Sequence, residues 1–139
     1  MIVADTNVLS ELMRPRPAAE VVEWAKAQTP GNLYTSSVTV AEIRYGLARL
    51  PNGRRRDELM RVADAVFRTL DGQVLAFDRA AAEEYAFVVR ARDDAGRPIS
   101  GFDAQISAIC RVHHAALATH NVKDFELTGV DVVDPWLGT

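Results

Sequence analysis

An α/β fold is predicted, with a parallel sheet of about five strands flanked by helices on both faces. Two observations over the 139 residues lead there. Short apolar runs alternate with longer stretches whose apolar residues recur every three to four positions, the pattern of strands feeding crossover helices. The first such run, Met1-Ile2-Val3-Ala4, is apolar throughout and ends in a carboxylate, Asp5. A buried strand that opens on an anion at its C-terminal end places that anion where open α/β sheets bind ligands.

The elements follow in order. Residues 2–5 form the first strand. Residues 7–13 suit a short helix stopped by Pro15 and Pro17. Helix resumes over 18–28, with Val21, Val22, Trp24 and Ala25 on its apolar side. Pro30-Gly31-Asn32 is a turn before a second strand at 33–36. A helix over 39–50 carries Val40, Ile43 and Leu47, and Pro51-Asn52-Gly53 ends it. The next helix, 54–70, turns Leu59, Val62, Val66, Phe67 and Leu70 inward. Residues 74–77 form the third strand, and Asp78 caps a helix over 79–94. A loop over 94–101 leads to a helix over 103–114. Strands at 115–119 and 130–133 complete the sheet, and Pro135-Trp136 packs on the body because an exposed Trp is unfavourable. No repeat, low-complexity tract or linker interrupts the series, so one domain over 1–139 is expected.

Composition narrows the class. Hydrophobic residues make up 48% and charged residues 25%, which supports a sizeable core. The single cysteine, Cys110, cannot form an internal disulfide, and its apolar neighbours mark it as a buried thiol. A reducing, cytoplasmic setting fits. No apolar run is long enough for a membrane span, and Asp5 breaks the apolar core that a signal peptide needs. The net charge of −3 excludes a globally basic nucleic-acid binder. Yet 14 of the 16 cations are arginine, whose planar fork matches phosphate oxygens, and Arg54-Arg55-Arg56 is their densest cluster. A charge run of this kind also reads as a solvated helix start.

Four acidic residues stand at element junctions: Asp5, Glu42, Asp103 and Asp124. Each has a purely structural reading. Thr39-Val40-Ala41-Glu42 matches a capping box, Ser100-Gly101-Phe102-Asp103 has the same shape, Asp5 can cap the first helix, and Asp124 can start a turn. Their combination argues otherwise. Strand ends from one edge of a parallel sheet converge, and several anions brought together repel unless a cation neutralises them. An all-oxygen set without Cys or His suits Mg²⁺ or Mn²⁺. His113-His114 ends a helix, where positive charge complements the dipole. His120 lies beside the acidic region without a defined partner in the sequence.

With these residues in view, the chain resembles the PIN domains, and among them the VapC and FitB type of toxin ribonuclease. The likeness spans the chain. It rests on Ile2-Val3-Ala4-Asp5-Thr6-Asn7-Val8-Leu9-Ser10, Ser37-Val38-Thr39-Val40-Ala41-Glu42-Ile43, Phe102-Asp103-Ala104-Gln105-Ile106 and Ala118-Thr119-His120-Asn121-Val122-Lys123-Asp124-Phe125. The resemblance implies a Mg²⁺- or Mn²⁺-dependent endoribonuclease whose acidic core is Asp5, Glu42 and Asp103. It implies a homodimer and a small antitoxin of the VapB or FitA kind, giving a dimer of heterodimers or larger, with promoter DNA reached only through the antitoxin. Some relatives carry an acid where this chain has Asn121, so either Asn121 or Asp124 completes the site. On this reading Asp5 and Asp103 hold the cation and Glu42 holds it or its water. Thr6, Asn7 and Thr119 position water or phosphate. Hydrolysis without the 2′-OH leaves a 5′-phosphate and a 3′-hydroxyl. Arg14, Arg44, Arg54, Arg55 and Arg56 are the candidates for gripping the RNA backbone.

Other classes leave specific marks. A phosphatase using Asp5 as nucleophile would carry Asp at position 7, where this chain has Asn7. A PIN fold that only binds RNA would dispense with an intact acidic triad. A receiver-type domain needs its phosphoacceptor in a middle strand and a Lys after a late strand, which Lys123 matches poorly.

Overall fold

The computed structural model describes residues 1–138. The chain runs β1 (Ile2–Ala4), α1 (Thr6–Leu12), α2 (Ala19–Lys26), β2 (Leu33–Ser36), α3 (Ser37–Ala48) and α4 (Arg54–Thr69). It continues through β3 (Val74–Leu75), α5 (Arg79–Asp94), α6 (Gly101–His113), β4 (Ala116–Ala118), a 3-10 turn (Val122–Phe125) and β5 (Val132–Val133). The strands form one sheet in the order β3-β2-β1-β4-β5, and every pair is parallel.

The sheet separates two cores, because successive side chains of a strand point to opposite faces. Val3 and Leu117 face a cluster with Ala81 of α5 and Ile106, Ile109 and Cys110 of α6. Ala4 and Ala118 face the other, with Val8, Leu9, Val21, Trp24, Ile43 and Ala63 from the first four helices. Both faces being covered explains why these strands read as continuous apolar runs. Trp136 packs against the second cluster, as expected for the tail. Among the described residues, no helix is long and apolar enough to cross a membrane.

Several boundaries differ from the sequence expectation. β3 pairs at only two positions, 74–75, and β5 at two, 132–133, because edge strands hold few ladder bonds. α3 begins at Ser37, not 39. Its N-cap is Ser36, whose Oγ accepts from the Thr39 amide at 3.1 Å. Thr39 therefore lies inside the first turn, and the capping box read over 39–42 does not form. α6 begins at Gly101, and Ser100 Oγ accepts from the Asp103 amide at 3.2 Å. In α4, only Ala63 is fully buried, and Val62, expected inward, is 38% exposed. Cys110 is fully buried, and burial pushes its thiol up to about 12, so it stays protonated.

Candidate active site

The chain order turns around at β1. β2 and β3 lie to one side of it, β4 and β5 to the other. Between β1 and β4, connections leave in opposite directions and open a crevice at the C-terminal ends of the strands. Asp5 follows β1 and Thr119 follows β4, so both stand at that crevice.

Asp5 is 5% exposed and fully engaged. It is the N-cap of α1, its Oδ1 accepting from the Thr6 amide at 2.8 Å. Its Oδ2 accepts from Thr119 Oγ1 at 2.8 Å and from Asn7 Nδ2 at 3.2 Å. Capping and site geometry thus use the same carboxylate. Asn7 Nδ2 also lies 3.1 Å from Thr119 Oγ1, and Asn7 Oδ1 accepts from the His120 amide at 3.0 Å. Residues 5–7 and 119–120 are locked together across the crevice.

Glu42 enters from α3, above the end of β2. Its Oε1 accepts from Thr6 Oγ1 at 2.7 Å. Thr6 Oγ1 is also 3.3 Å from the buried Thr39 hydroxyl, which in turn touches Ser36. This hydroxyl chain fixes the rotamer of Glu42. Asp103 comes from the first turn of α6, and Asp124 from the exposed 3-10 turn.

The electrostatics tie the four acids into one region. Burial raises the Asp5 carboxyl above its ordinary value, against the lowering effect of its hydrogen bonds, and the Glu42 charge raises it further. Burial also raises Asp103, with added repulsion from Asp5 and Asp124. The cation opposing this repulsion is Arg92, and its fork is spent elsewhere. Arg92 is buried on α5. It donates to the carbonyls of Arg97 at 2.6 Å, Asp124 at 2.7 Å and Glu126 at 3.1 Å. Sequence reading missed this residue, because its partners are backbone carbonyls, in the loop that follows α5 and in the distant turn at 124–126. It anchors the turn that carries Asp124.

A divalent cation fits the chemistry of this donor set. The acids offer hard oxygen ligands, and among the described residues none of the four forms an ion pair. Among the described residues, no three His, Cys, Asp or Glu side chains already stand as ligands around one point. Mg²⁺ tolerates that arrangement, because it keeps several waters and binds through one or two carboxylates. Cys110 is no alternative ligand, being buried and protonated.

The remaining candidates divide. Asn121 directs its amide to Thr119 Oγ1 at 3.1 Å and makes no side-chain cap on the turn it precedes. The Asp124 charge, like that of Asp5, raises Asp103. Arg14 and Arg55 line a groove of about 410 Å³ together with Thr6 and Glu42. Arg44 does not join them. It pairs with Asp64 at 2.8 Å, lies over the Phe67 ring at 5.0 Å and lines a separate hollow. Arg54 and Arg56 border a hollow at the turn before α4, and Arg56 bonds to Asn52.

Comparison with known proteins follows the same outline. The PIN domain family matches residues 2–130. The chain is 40% identical to the VapC ribonuclease Y4jK of Sinorhizobium fredii over 137 residues, 98% of both proteins. It is 35% identical to toxin FitB of Neisseria gonorrhoeae, covering 98% of this chain and 99% of that one. The structure of FitAB bound to an IR36 DNA fragment superposes with a TM-score of 0.91 at 35% identity, covering 98% of this chain and 96% of that one.

Proposed function

This chain belongs to the PIN-domain family, and we propose that it is a metal-dependent endoribonuclease, the toxin of a type II toxin–antitoxin pair. It would act as one domain over 1–139 in the cytoplasm. The observation that supports the reading is the buried Asp5 carboxylate after β1, held by Thr119 and Asn7 and electrostatically coupled to Glu42 and to Asp103. The relatives named VapC ribonuclease and toxin FitB support both halves.

Asp5, Asp103 and Glu42 would hold Mg²⁺ or Mn²⁺, directly or through water. When bound, such an ion lowers the pKa of water and stabilises charge growing on phosphate oxygens. The chain's own residues supply the rest. Thr119 and Asn7 keep the Asp5 carboxylate in one orientation, so no reorganisation is needed on substrate binding. Thr6 occupies one oxygen of Glu42 and leaves the other to accept a hydrogen bond from the incoming water. Arg14 and Arg55, which line the groove beside Glu42, would hold backbone phosphates. Water attacks phosphorus and loses a proton, the P–O3′ bond breaks, and the 3′-oxygen takes up a proton. RNA incubated with the purified protein should yield 5′-phosphate and 3′-hydroxyl ends, and a chelator should stop the cleavage. Ends carrying a 2′,3′-cyclic phosphate, or full activity in chelator, would exclude this route.

The groove beside Glu42 also suits an antitoxin. Met13, Pro15, Ile43, Leu47 and Leu59 give it an apolar lining, and Glu42 adds a negative charge. An amphipathic helix ending in a basic side chain is the complementary ligand. The structure of FitAB bound to an IR36 DNA fragment supports a toxin–antitoxin pairing, and promoter DNA would be reached through the antitoxin. Tyr45, Phe87 and Phe102 are exposed at 66%, 67% and 53% and line no part of that groove, which leaves apolar surface for a homodimer. Sedimentation of the isolated chain at on the order of tens of micromolar, where a specific interface is occupied, should show a dimer. A monomer under those conditions would remove the homodimer from the proposal.

A further inference from the structure

β4 and β5 end side by side, and their ends deliver a second polar group that the carboxylate chemistry does not use. The Thr119 amide donates to the Val133 carbonyl at 2.9 Å, so the next residues on each strand, His120 and Asp134, emerge as neighbours. His120 Nδ1 lies 3.4 Å from both Asp134 oxygens. Asp134 is 8% exposed, and its Oδ1 also accepts from the Trp136 amide at 3.0 Å. The Trp136 ring backs the imidazole at a centroid distance of 4.4 Å and an interplanar angle of 38°. Trp136 itself is held by the core.

His120 is therefore a fixed ring on an exposed site. Its side chain is 54% exposed, yet Asp134 sets its edge, Trp136 covers one side, and its amide is tied to Asn7. Asn7 bonds Asp5 directly, so the His120 main chain stands two hydrogen bonds from the Asp5 carboxylate. A flat ring held in this way has lost its rotational freedom before any ligand arrives.

We propose that His120, backed by Trp136 and oriented by Asp134, is a nucleobase-stacking platform for the RNA strand entering the crevice. Single-stranded RNA presents unstacked bases, and proteins hold them against aromatic or imidazole rings. Stacking is tolerant of base identity, because every base has a π-face. Such a platform holds the strand at one base while the carboxylates act on a phosphate beside it. The choice of ligand rests on the ribonuclease reading; the geometry does not.

Binding can be tested without cleavage, in an Asp103→Asn background with Ca²⁺ present. The probe is a short single-stranded oligoadenylate, compared with versions carrying an abasic nucleotide at each position in turn. His120→Ala should weaken binding on the order of tenfold, the scale of losing one stacked base, and His120→Phe should retain most of the affinity. One abasic position should cost the parent protein a similar factor and cost His120→Ala little more, since both changes remove the same contact. Equal sensitivity of both proteins to every abasic position would overturn the proposal. So would RNA binding indifferent to His120, no RNA binding at all, or a loss confined to antitoxin binding. If the base dependence holds but the wild-type protein cleaves no RNA, the ribonuclease reading fails and the platform stands.

Discussion

Asp5→Asn is expected to lower RNA cleavage by at least about a hundredfold, the scale of removing one group that stabilises transition-state charge, while the protein remains folded. Asn also caps helices, so α1 keeps its N-cap. The variant should in fact be no less stable at neutral pH without metal. Burial raises the Asp5 carboxyl in the folded protein, so the folded state holds its proton more tightly than the unfolded chain does. The stability this group contributes is present at low pH and is lost as pH rises from the unfolded carboxyl value through the raised folded one. Thermal denaturation in chelator should therefore show the wild type losing stability across that window relative to Asp5→Asn. Mn²⁺ should then raise the melting temperature of the wild type more than that of the variant. A variant that loses activity because it melts early would instead assign Asp5 to capping alone.

Arg92→Met is expected to have the largest effect on stability, about 2–4 kcal/mol, because it strips donors from several carbonyls at once. The melting temperature should fall by roughly 5–15 °C. Arg92→Lys should recover little, since one ammonium cannot reproduce a planar fork reaching both loops. Apparent Mn²⁺ affinity should weaken together with stability, because the 3-10 turn carrying Asp124 loses its anchor. Differential scanning calorimetry with and without Mn²⁺ separates the two effects. A wild-type melting curve for Arg92→Met would show that the network contributes nothing.

The parts of this fold legible in the sequence are those set by local rules. Asp5 declared itself because an apolar strand and a helix cap meet at one residue, and strand β1 with its partner β4 followed from short apolar runs. Asp78 was identifiable as a cap, and the structure shows its carboxylate accepting from the Ala81 amide at 3.0 Å. The alternation of elements was enough to place Thr119 at the same sheet edge as Asp5. What stayed hidden depends on partners far along the chain. Thr39 looked like a cap until Ser36 proved to hold that position. Arg44 looked available for phosphate until Asp64 and Phe67, on the next helix, claimed it. Arg92 carried no signal, since backbone carbonyls have no sequence signature. The His120–Asp134–Trp136 group was invisible because strand register, not spacing, brings it together.

The central position of β1 has a consequence for how the protein comes into being. β1 is made first, and one of its edges can pair with β2 early. Its other edge waits for Ala116–Ala118, and the hydroxyl that fixes Asp5 belongs to a residue 114 positions downstream. Contacts of such sequence separation form late, because a long loop must close before they are rewarded. On a growing chain, the Asp5 carboxylate is made early but has no frame. A chain that has not yet added β4 therefore carries Asp5 without the hydroxyl that orients it, and this frame assembles only when that strand joins the sheet.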